Sequence, residues 1–367
     1  MTPRERAAYH RWEVSQRRKN KVYYTNKRQK FLKTLYAPEV LDIYGTNDVE
    51  QSLNFIHQLQ NYQENEISNI TINFRQNRIL KAAALVIIFS IAERLIIDFK
   101  KSITLILPNN REAPGVIKTL RRSGLIELCQ NKVSKNQFDK KYLPIVSSNG
   151  GRFREEIIDF IVKKIYKDMP PTLENIYADA IQEAINNVTA HAYLGKNDHI
   201  IKRWWLLCEV IGDQLFLVIY DAGIGIPKSL EIHLTQKDLD FTQPESIAEL
   251  QKHYNEYPEL NQHYTSFEQM FSVLQNATLP KVFPDEWKIY LAMIGDFTRK
   301  TGKDELKHGQ GSKSIKALVS TNDNGVLWIF SGLGRVKFID DALTPKLVCL
   351  PKHLTGTLIQ WNIKVKT

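Results

Sequence analysis

Cysteine is scarce in this chain of 367 residues. The three cysteines, Cys129, Cys208 and Cys349, lie far apart, and no C-x-x-C pair is present to indicate zinc or redox chemistry. The sequence also lacks a run of about 18 apolar residues, the length that a membrane span requires. Charged residues stand where a signal peptide has its apolar core. We therefore expect a cytoplasmic protein with no membrane contact.

Acidic residues are rare at the start of the chain. Between Arg4 and Lys33, eleven Lys and Arg residues are opposed only by Glu5 and Glu13, and the whole chain has a net charge of +10. We assign residues 1–45 to a basic N-terminal segment and favour a solvated tail. A contact with RNA, DNA or another anionic partner is the alternative, because Lys and Arg neutralise phosphates.

The remaining composition is that of a globular protein, with 43% hydrophobic and 25% charged residues. At this length we expect two domains. Ile67 to Phe74 alternates as a strand, Ala82 to Phe99 is apolar enough for a buried helix, and Ile103 to Leu107 is a short buried strand. A helix interrupted at Gly124 follows. The pattern predicts a small α/β domain over residues 46–148, ending near the loop formers Ser147 to Gly151.

This domain resembles the STAS domain, the fold of anti-sigma-factor antagonists. The likeness lies in a leucine-rich helix that runs into Ser123-Gly124-Leu125 and then Leu128. In that family a serine at the start of the long buried helix accepts phosphate. The matching stretch here, Arg75 to Ala84, contains no Ser or Thr. The resemblance therefore implies a docking or dimerisation surface without a phosphorylation switch.

The second half of the chain opens with a strongly amphipathic helix. Glu183 and Asn187 are four residues apart on it and fall at the border of its apolar stripe. A carboxylate and a carboxamide so placed can polarise a water and hold a magnesium ion. On their own, such pairs are usually surface residues. The apolar stripe consists of Leu173, Ile176, Tyr177, Ala180, Ile181, Ala184, Ile185, Val188 and Ala192.

An aspartate followed by alternating glycines comes next. Trp204 to Ile211 and Gln214 to Tyr220 are predicted as a hairpin, and the second strand runs into Asp221-Ala-Gly223-Ile-Gly225-Ile226-Pro227. The glycines let the backbone turn tightly against a flat ligand, while the carboxylate accepts a hydrogen bond from an amino group on the ligand's edge. The alternative is an ordinary turn without a ligand.

Two further glycine motifs lie near the end of the chain. Gly309-Gln310-Gly311-Ser312-Lys313 is predicted to open a helix, whose first backbone amides can bind phosphate oxygens. Gly356-Thr357 leads into the alternating strand Leu358 to Val365. Each motif alone is a weak signal.

The order of the four motifs resembles that of the GHKL, or Bergerat-fold, ATPases, the class of gyrase, heat-shock chaperones, histidine kinases and MutL. The helix from Glu183 to Tyr193 is most similar to the anti-sigma-factor serine kinases. The resemblance implies a two-layer α/β sandwich over residues 149–367 that binds ATP and Mg²⁺. By that resemblance Glu183 is the general base and Asn187 carries magnesium. The implied ATP-binding residues are Asn187, Asp221 at the adenine amino group, Gly223, Gly225, Ile226, Gly309, Gln310, Gly311, Ser312, Lys313 and Thr357.

Two features depart from that family pattern. Lys313 stands where many members have a third glycine, so the backbone approaches the phosphates less closely or the lysine contacts them itself. The connection between the glycine motifs is long, and we assign about 229–305 to a lid insertion with helices at Pro244 to His253, Phe267 to Leu274 and Asp285 to Phe297. Its basic end, Gly295 to Gly302, is either an ATP lid or a solvated loop.

We expect a regulatory protein that binds and slowly hydrolyses Mg-ATP, with lid closure controlling contact with a protein partner or a second copy of the chain. The alternative is a protein serine kinase resembling the anti-sigma factors. Histidine kinase activity ranks lower, because His10 is the only histidine before His57 and has no coiled-coil pattern around it.

Overall fold

Parallel strands come first in this chain and antiparallel strands follow. The computed structural model describes residues 32–45, 47–64, 66–133, 136–139, 141–166, 168–194, 202–235, 244–256, 265–275, 283–294, 311–322, 324–339 and 345–365. The protein is therefore of the mixed α/β class. Most of the basic N-terminal segment and the predicted lid stretch 295–302 lie outside the described residues.

The N-terminal unit is built on parallel strands, which pair as β1-β3-β5 and β2-β4. Parallel strands are usually covered on both faces, and in β3 the four residues after Asn69 are all buried. In chain order its elements are β1 (Leu32–Tyr36), β2 (Val40–Leu41), α1 (Val49–Gln60), β3 (Asn69–Asn73), β4 (Ile79–Leu80), α2 (Ala82–Ile97), β5 (Ser102–Ile106), α3 (Pro114–Arg122) and α4 (Leu125–Asn131).

Helix α2 is apolar on nearly every side. Thirteen of its sixteen residues are buried, because it packs against β5 of its own unit and also against two strands of the following unit. A helix that is hydrophobic all round must be covered all round. The sequence predicted this burial, and the structure shows that two different sheets provide it.

The C-terminal unit contains a five-stranded sheet in the order β6-β7-β8-β10-β9, in which every neighbouring pair is antiparallel. The helices α5 and α6 each continue into a π-helical turn, Ile161–Tyr166 and Val188–Ala192. The elements are β6 (Val146–Asn149), α5 (Arg154–Phe160), α6 (Pro171–Asn187), β7 (Arg203–Ile211), β8 (Gln214–Asp221), α7 (Ile226–Thr235), α8 (Pro244–Glu256), α9 (Phe267–Gln275), α10 (Asp285–Ile294), α11 (Gly311–Ser320), β9 (Val326–Ile339) and β10 (Lys346–Lys364).

Successive side chains of this sheet enter two different cores. Trp204 and Leu206 face α6, α11 and the other helices of the C-terminal unit, whereas Trp205 and Leu207 face α1 and α2. Alternation of side chains along a strand explains why both tryptophans are fully buried. The antiparallel sheet is therefore covered by a helical layer on each face.

A buried carboxylate joins the two units. Glu93 of α2 is 1% exposed and accepts hydrogen bonds from Trp205 Nε1 and Ser147 Oγ, both at 2.7 Å. Arg203 lies 3.5 Å from the same carboxylate. Elsewhere on the interface Arg335 of β9 donates to the carbonyl oxygens of Tyr44 and Gly45. These contacts fix the N-terminal unit to the sheet.

Two strands differ from the sequence predictions. β1 lies within the segment that the sequence assigns to a basic tail, and Leu35 is buried where β1 pairs with β3. β10 begins at Lys346, so Gly356 and Thr357 lie inside a long strand. The register shifts between Cys349 and Thr357, and pairing with β8 starts at Thr357. The alternation of apolar and polar residues is regular only after that shift, so the sequence predicted the strand from Leu358 onward and missed its earlier part.

The long connection after the Asp221 turn is helical where it is described. α8, α9 and α10 confirm the three helices predicted there. α10 packs against β9 and α7, and its Trp287, Ile289 and Tyr290 are buried. This part of the connection thus belongs to the core. No described helix is both long and apolar enough to span a membrane.

Candidate functional site

The turn after β8 is organised by Asp221. This side chain is only 4% exposed, and its Oδ1 accepts a 2.8 Å hydrogen bond from the backbone N–H of Gly223. Such a bond from an aspartate to the residue two positions later stabilises a turn. Gly225 is buried, and Ile226 is the first residue of α7. The predicted D-x-G-x-G motif therefore forms a strand end, a tight turn and a helix start.

Thr357 lies directly opposite Asp221 in the ladder between β8 and β10. Beside it, the hydroxyl of Ser331 donates to the carbonyl of Gly356 at 2.8 Å and accepts from the backbone N–H of Ile226 at 2.9 Å. Ser331 Oγ is also 3.3 Å from Thr357 Oγ1. One buried hydroxyl thus holds the Asp221 turn against the Gly-Thr pair.

The end of the α6 helix meets the same turn. The carbonyl of Ala192 accepts a 2.7 Å hydrogen bond from the N–H of Ile224. A Cβ at Gly223 would overlap that carbonyl, so only glycine permits this approach. Burial raises the pKa of Tyr193, and the nearby Asp221 carboxylate raises it further. Residues 192 and 193 therefore lie at the Asp221 turn.

Glu183 and Asn187 are both half-buried on α6. Gln182 and Asn186, each one position earlier, form a separate pair on the helix surface, in which Gln182 Nε2 donates to Asn186 Oδ1 at 2.7 Å. Asn187 is the last residue before the π-helical turn that leads to Ala192. One continuous helical segment thus connects Glu183 and Asn187 to the Asp221 turn.

The helix that follows the second glycine motif lies beside α6. α11 begins at Gly311, packs along α6 and is fixed to the sheet by Trp361 Nε1, which donates to the carbonyl of Ile315 at 2.8 Å. Ser312 is half-buried and Lys313 is exposed. Gly309 and Gln310 lie outside the described residues.

A buried lysine ties α10 to the helix after the Asp221 turn. Lys288 has a side chain only 6% exposed and contacts Glu231 of α7 at 2.8 Å and Asp285 at 3.3 Å. Asp285 in turn accepts a 2.8 Å hydrogen bond from the N–H of Leu333. Burial raises the pKa of Glu231, but hydrogen bonds from Lys288 and Lys228 outweigh it and leave the pKa below its ordinary value.

Sequence reasoning did not identify Ser331, Lys288 or the contact of Ala192 with the turn. The one visible signal was Ser331-Gly332 in the middle of the apolar strand β9. Asp285 lies one turn before Lys288 on the same helix, but Glu231 lies on α7, far away in the chain. No local pattern indicates such a pairing.

No group of three or more His, Cys, Asp or Glu side chains in the described part of the chain is placed to hold a metal ion. A magnesium ion bound with a nucleotide needs no such group, because it keeps several waters and takes ligands from the phosphates. The single amide of Asn187 fits that mode of binding.

No protein-family model matches this chain, and no curated protein matches its sequence. What the site does must therefore be inferred from its own residues.

Proposed function

We propose that residues 149–367 form a Bergerat-fold domain of the GHKL class that binds Mg-ATP, and that the parallel unit is a STAS-like domain fixed to its sheet. One observation carries this proposal. Three motifs that are far apart in the chain meet at one end of β8: the end of the α6 segment at Ala192, the Asp221 turn, and the Gly356-Thr357 pair.

The adenine ring would be recognised at Asp221. A carboxylate can accept several hydrogen bonds, and the exocyclic amino group of adenine would donate one to Asp221 beside the bond from Gly223. Hydrogen bonds to an ionised group are stronger than those between neutral groups, and low exposure of Asp221 limits competition from water. Thr357 supplies a hydroxyl on the neighbouring strand.

The phosphates would lie between α6 and the start of α11. The N-terminus of a helix attracts anions through its free backbone N–H groups and its dipole. Lys313, exposed in the first turn of α11, supplies a positive charge there. Asn187 would hold the magnesium ion, and Glu183, one turn earlier, would polarise the attacking water.

We infer a regulatory role with slow hydrolysis, in which ATP controls contact with a protein partner. The N-terminal unit covers the sheet face opposite the helical layer, so it fits a fixed docking domain. The similarity of the Glu183 helix to the anti-sigma-factor kinases makes phosphate transfer to a partner's serine the second candidate. The two differ in where the γ-phosphate goes.

The test is a titration of the full chain with a fluorescent ATP analogue in the presence of magnesium. Asp221→Asn keeps the shape of the side chain but removes its charge, and we expect affinity to fall by about tenfold or more. Asp213→Asn is the matched control, because Asp213 lies at the other end of β8 and pairs with Lys364 at 3.6 Å. Unchanged affinity in Asp221→Asn would refute the pocket.

A further inference from the structure

A cavity of about 180 Å³ lies where the N-terminal unit, α5 with its π-helical turn, and β7 meet. It is separate from the Asp221 turn. Glu209, in its wall, pairs with Phe216, whereas Asp221 pairs with Trp204. Phe216 and Asp221 are five positions apart, which corresponds to about 17 Å along the strand.

Positive charge predominates among the described residues that line this cavity. Arg122, Lys141 and Lys164 contribute three cations, against the single carboxylate of Glu209. Arg122 lies 3.8 Å from Glu209 and 5.6 Å from the centre of the Tyr142 ring. Burial raises the pKa of Glu209, although Arg122 and Lys118 lower it in part. An anion entering the cavity therefore meets a net positive lining.

The inner wall is apolar. Leu143, Phe160, Leu207 and Val365 are all buried residues that line the cavity. The volume is well above the roughly 10–15 Å³ that one water needs, so the cavity has room for more than a single water. A ring-sized apolar body would displace water from these side chains, which inorganic phosphate alone would not do.

We propose that this cavity binds a small organic anion with an apolar body, such as an aromatic carboxylate or phosphate ester. Arg122, Lys141 and Lys164 hold the anionic group, and the apolar wall holds the ring. The guanidinium of Arg122 suits both carboxylate and phosphate oxygens, because its planar donors match their geometry. This site does not depend on ATP binding elsewhere in the chain.

The experiment uses saturation-transfer NMR and calorimetry on the full chain with benzoate, phenyl phosphate and the neutral benzyl alcohol. We expect both anions to bind with dissociation constants of about 1 mM or below, and the alcohol to bind more weakly. Tighter binding of phenyl phosphate would assign a phosphorylated ligand, and tighter binding of benzoate a carboxylate.

Two lysine substitutions make the test specific. Lys141 and Lys164 are exposed, so replacing both with Gln should leave the fold intact and weaken benzoate by about tenfold or more. Lys163→Gln is the matched control, because Lys163 is adjacent in sequence but pairs with Asp159. Asp221→Asn should bind benzoate like the wild type.

Three results would overturn the proposal. The first is no binding of either anion, and the second is binding of benzyl alcohol as tight as that of benzoate. The third is unchanged benzoate affinity in the double lysine variant.

Discussion

Asp221 and Thr357 face each other across the β8–β10 ladder, although the whole helical connection and β9 separate them in the chain. Gly356 makes this arrangement close-packed, because a Cβ there would overlap the backbone carbonyl of Asp221. Its φ of +80° is also one that other residues rarely adopt. The Gly-Thr pair and the Asp221 turn are therefore packed directly against each other, and the proposed adenine site depends on this packing.

Glu183→Gln should abolish turnover while preserving nucleotide binding. Loss of a general base lowers the rate by about 10²- to 10⁴-fold, and the substitution keeps the size of the side chain. Phosphate release from labelled ATP measures turnover, and the fluorescent analogue measures affinity. Gln182→Ala, at the preceding position of the same helix, is the control and should retain both activities. Full hydrolysis by Glu183→Gln would exclude this residue as the base.

The same labelled ATP distinguishes hydrolysis, phosphate transfer and binding without turnover. Free phosphate indicates hydrolysis, and label on a partner protein indicates a serine kinase. Retention of unchanged ATP on the protein indicates a switch that only binds. Each outcome depends on the same pocket and can be compared with Asp221→Asn.

Gly223→Ala should destabilise the protein by about 1–3 kcal/mol, the usual cost of forcing an extra methyl group into a packed site. The added Cβ would collide with the carbonyl of Ala192 and separate the helix end from the turn. Urea unfolding measures the change in free energy. Gly151→Ala is the control, because no atom lies within 4 Å of a Cβ at that position. Equal stability of the two variants would mean that this contact is not close-packed in solution.

Glu93→Ala should be strongly destabilising, by about 3–5 kcal/mol, because it leaves buried polar partners without their acceptor. Those partners are Trp205 and Ser147, and Arg203 loses one of its two carboxylates. Asp98→Ala removes the other, more exposed carboxylate that pairs with Arg203, and its cost should stay below about 1 kcal/mol. Thermal or urea unfolding compares the two. Similar small losses would show that the interface between the units does not rely on Glu93.

Glu209 predicts a pH dependence of stability. Its pKa is raised above 4.5 mainly by burial, so the folded state binds a proton more tightly than the unfolded state. The contribution of Glu209 to the free energy of unfolding should therefore fall as pH rises from the ordinary glutamate pKa to the raised one. Urea unfolding of the wild type and Glu209→Gln across this range measures the difference. A wild type that gains stability relative to Glu209→Gln with rising pH would contradict the assignment.

Elements with a strong local period were predictable from the sequence, and long-range pairings were not. α2, the β7–β8 hairpin and the helix carrying Glu183 follow directly from apolar spacing. β1 is short and contains the basic Lys33. Among its residues whose burial is described, only Leu35 is buried, so the sequence gives no local signal for its pairing with β3.

The candidate site divides in the same way. Asp221 and its glycines stand out as a motif, because a strand end followed by glycines is a local feature. Ser331 becomes relevant only when β9 lies beside β10 and its hydroxyl reaches Ile226. Lys288 requires α10 to pack on α7. Such contacts depend on tertiary packing, which cannot be predicted from the residue pattern of a single segment.

The packing of α1 against β10 has a consequence for how the protein is made. The ribosome releases α1 early, yet the apolar face that α1 buries against β10 has no cover until that strand emerges. At about 5–20 residues per second this interval is on the order of tens of seconds. The nascent N-terminal unit is therefore expected to be a client of ribosome-associated chaperones, and slow synthesis should increase its aggregation.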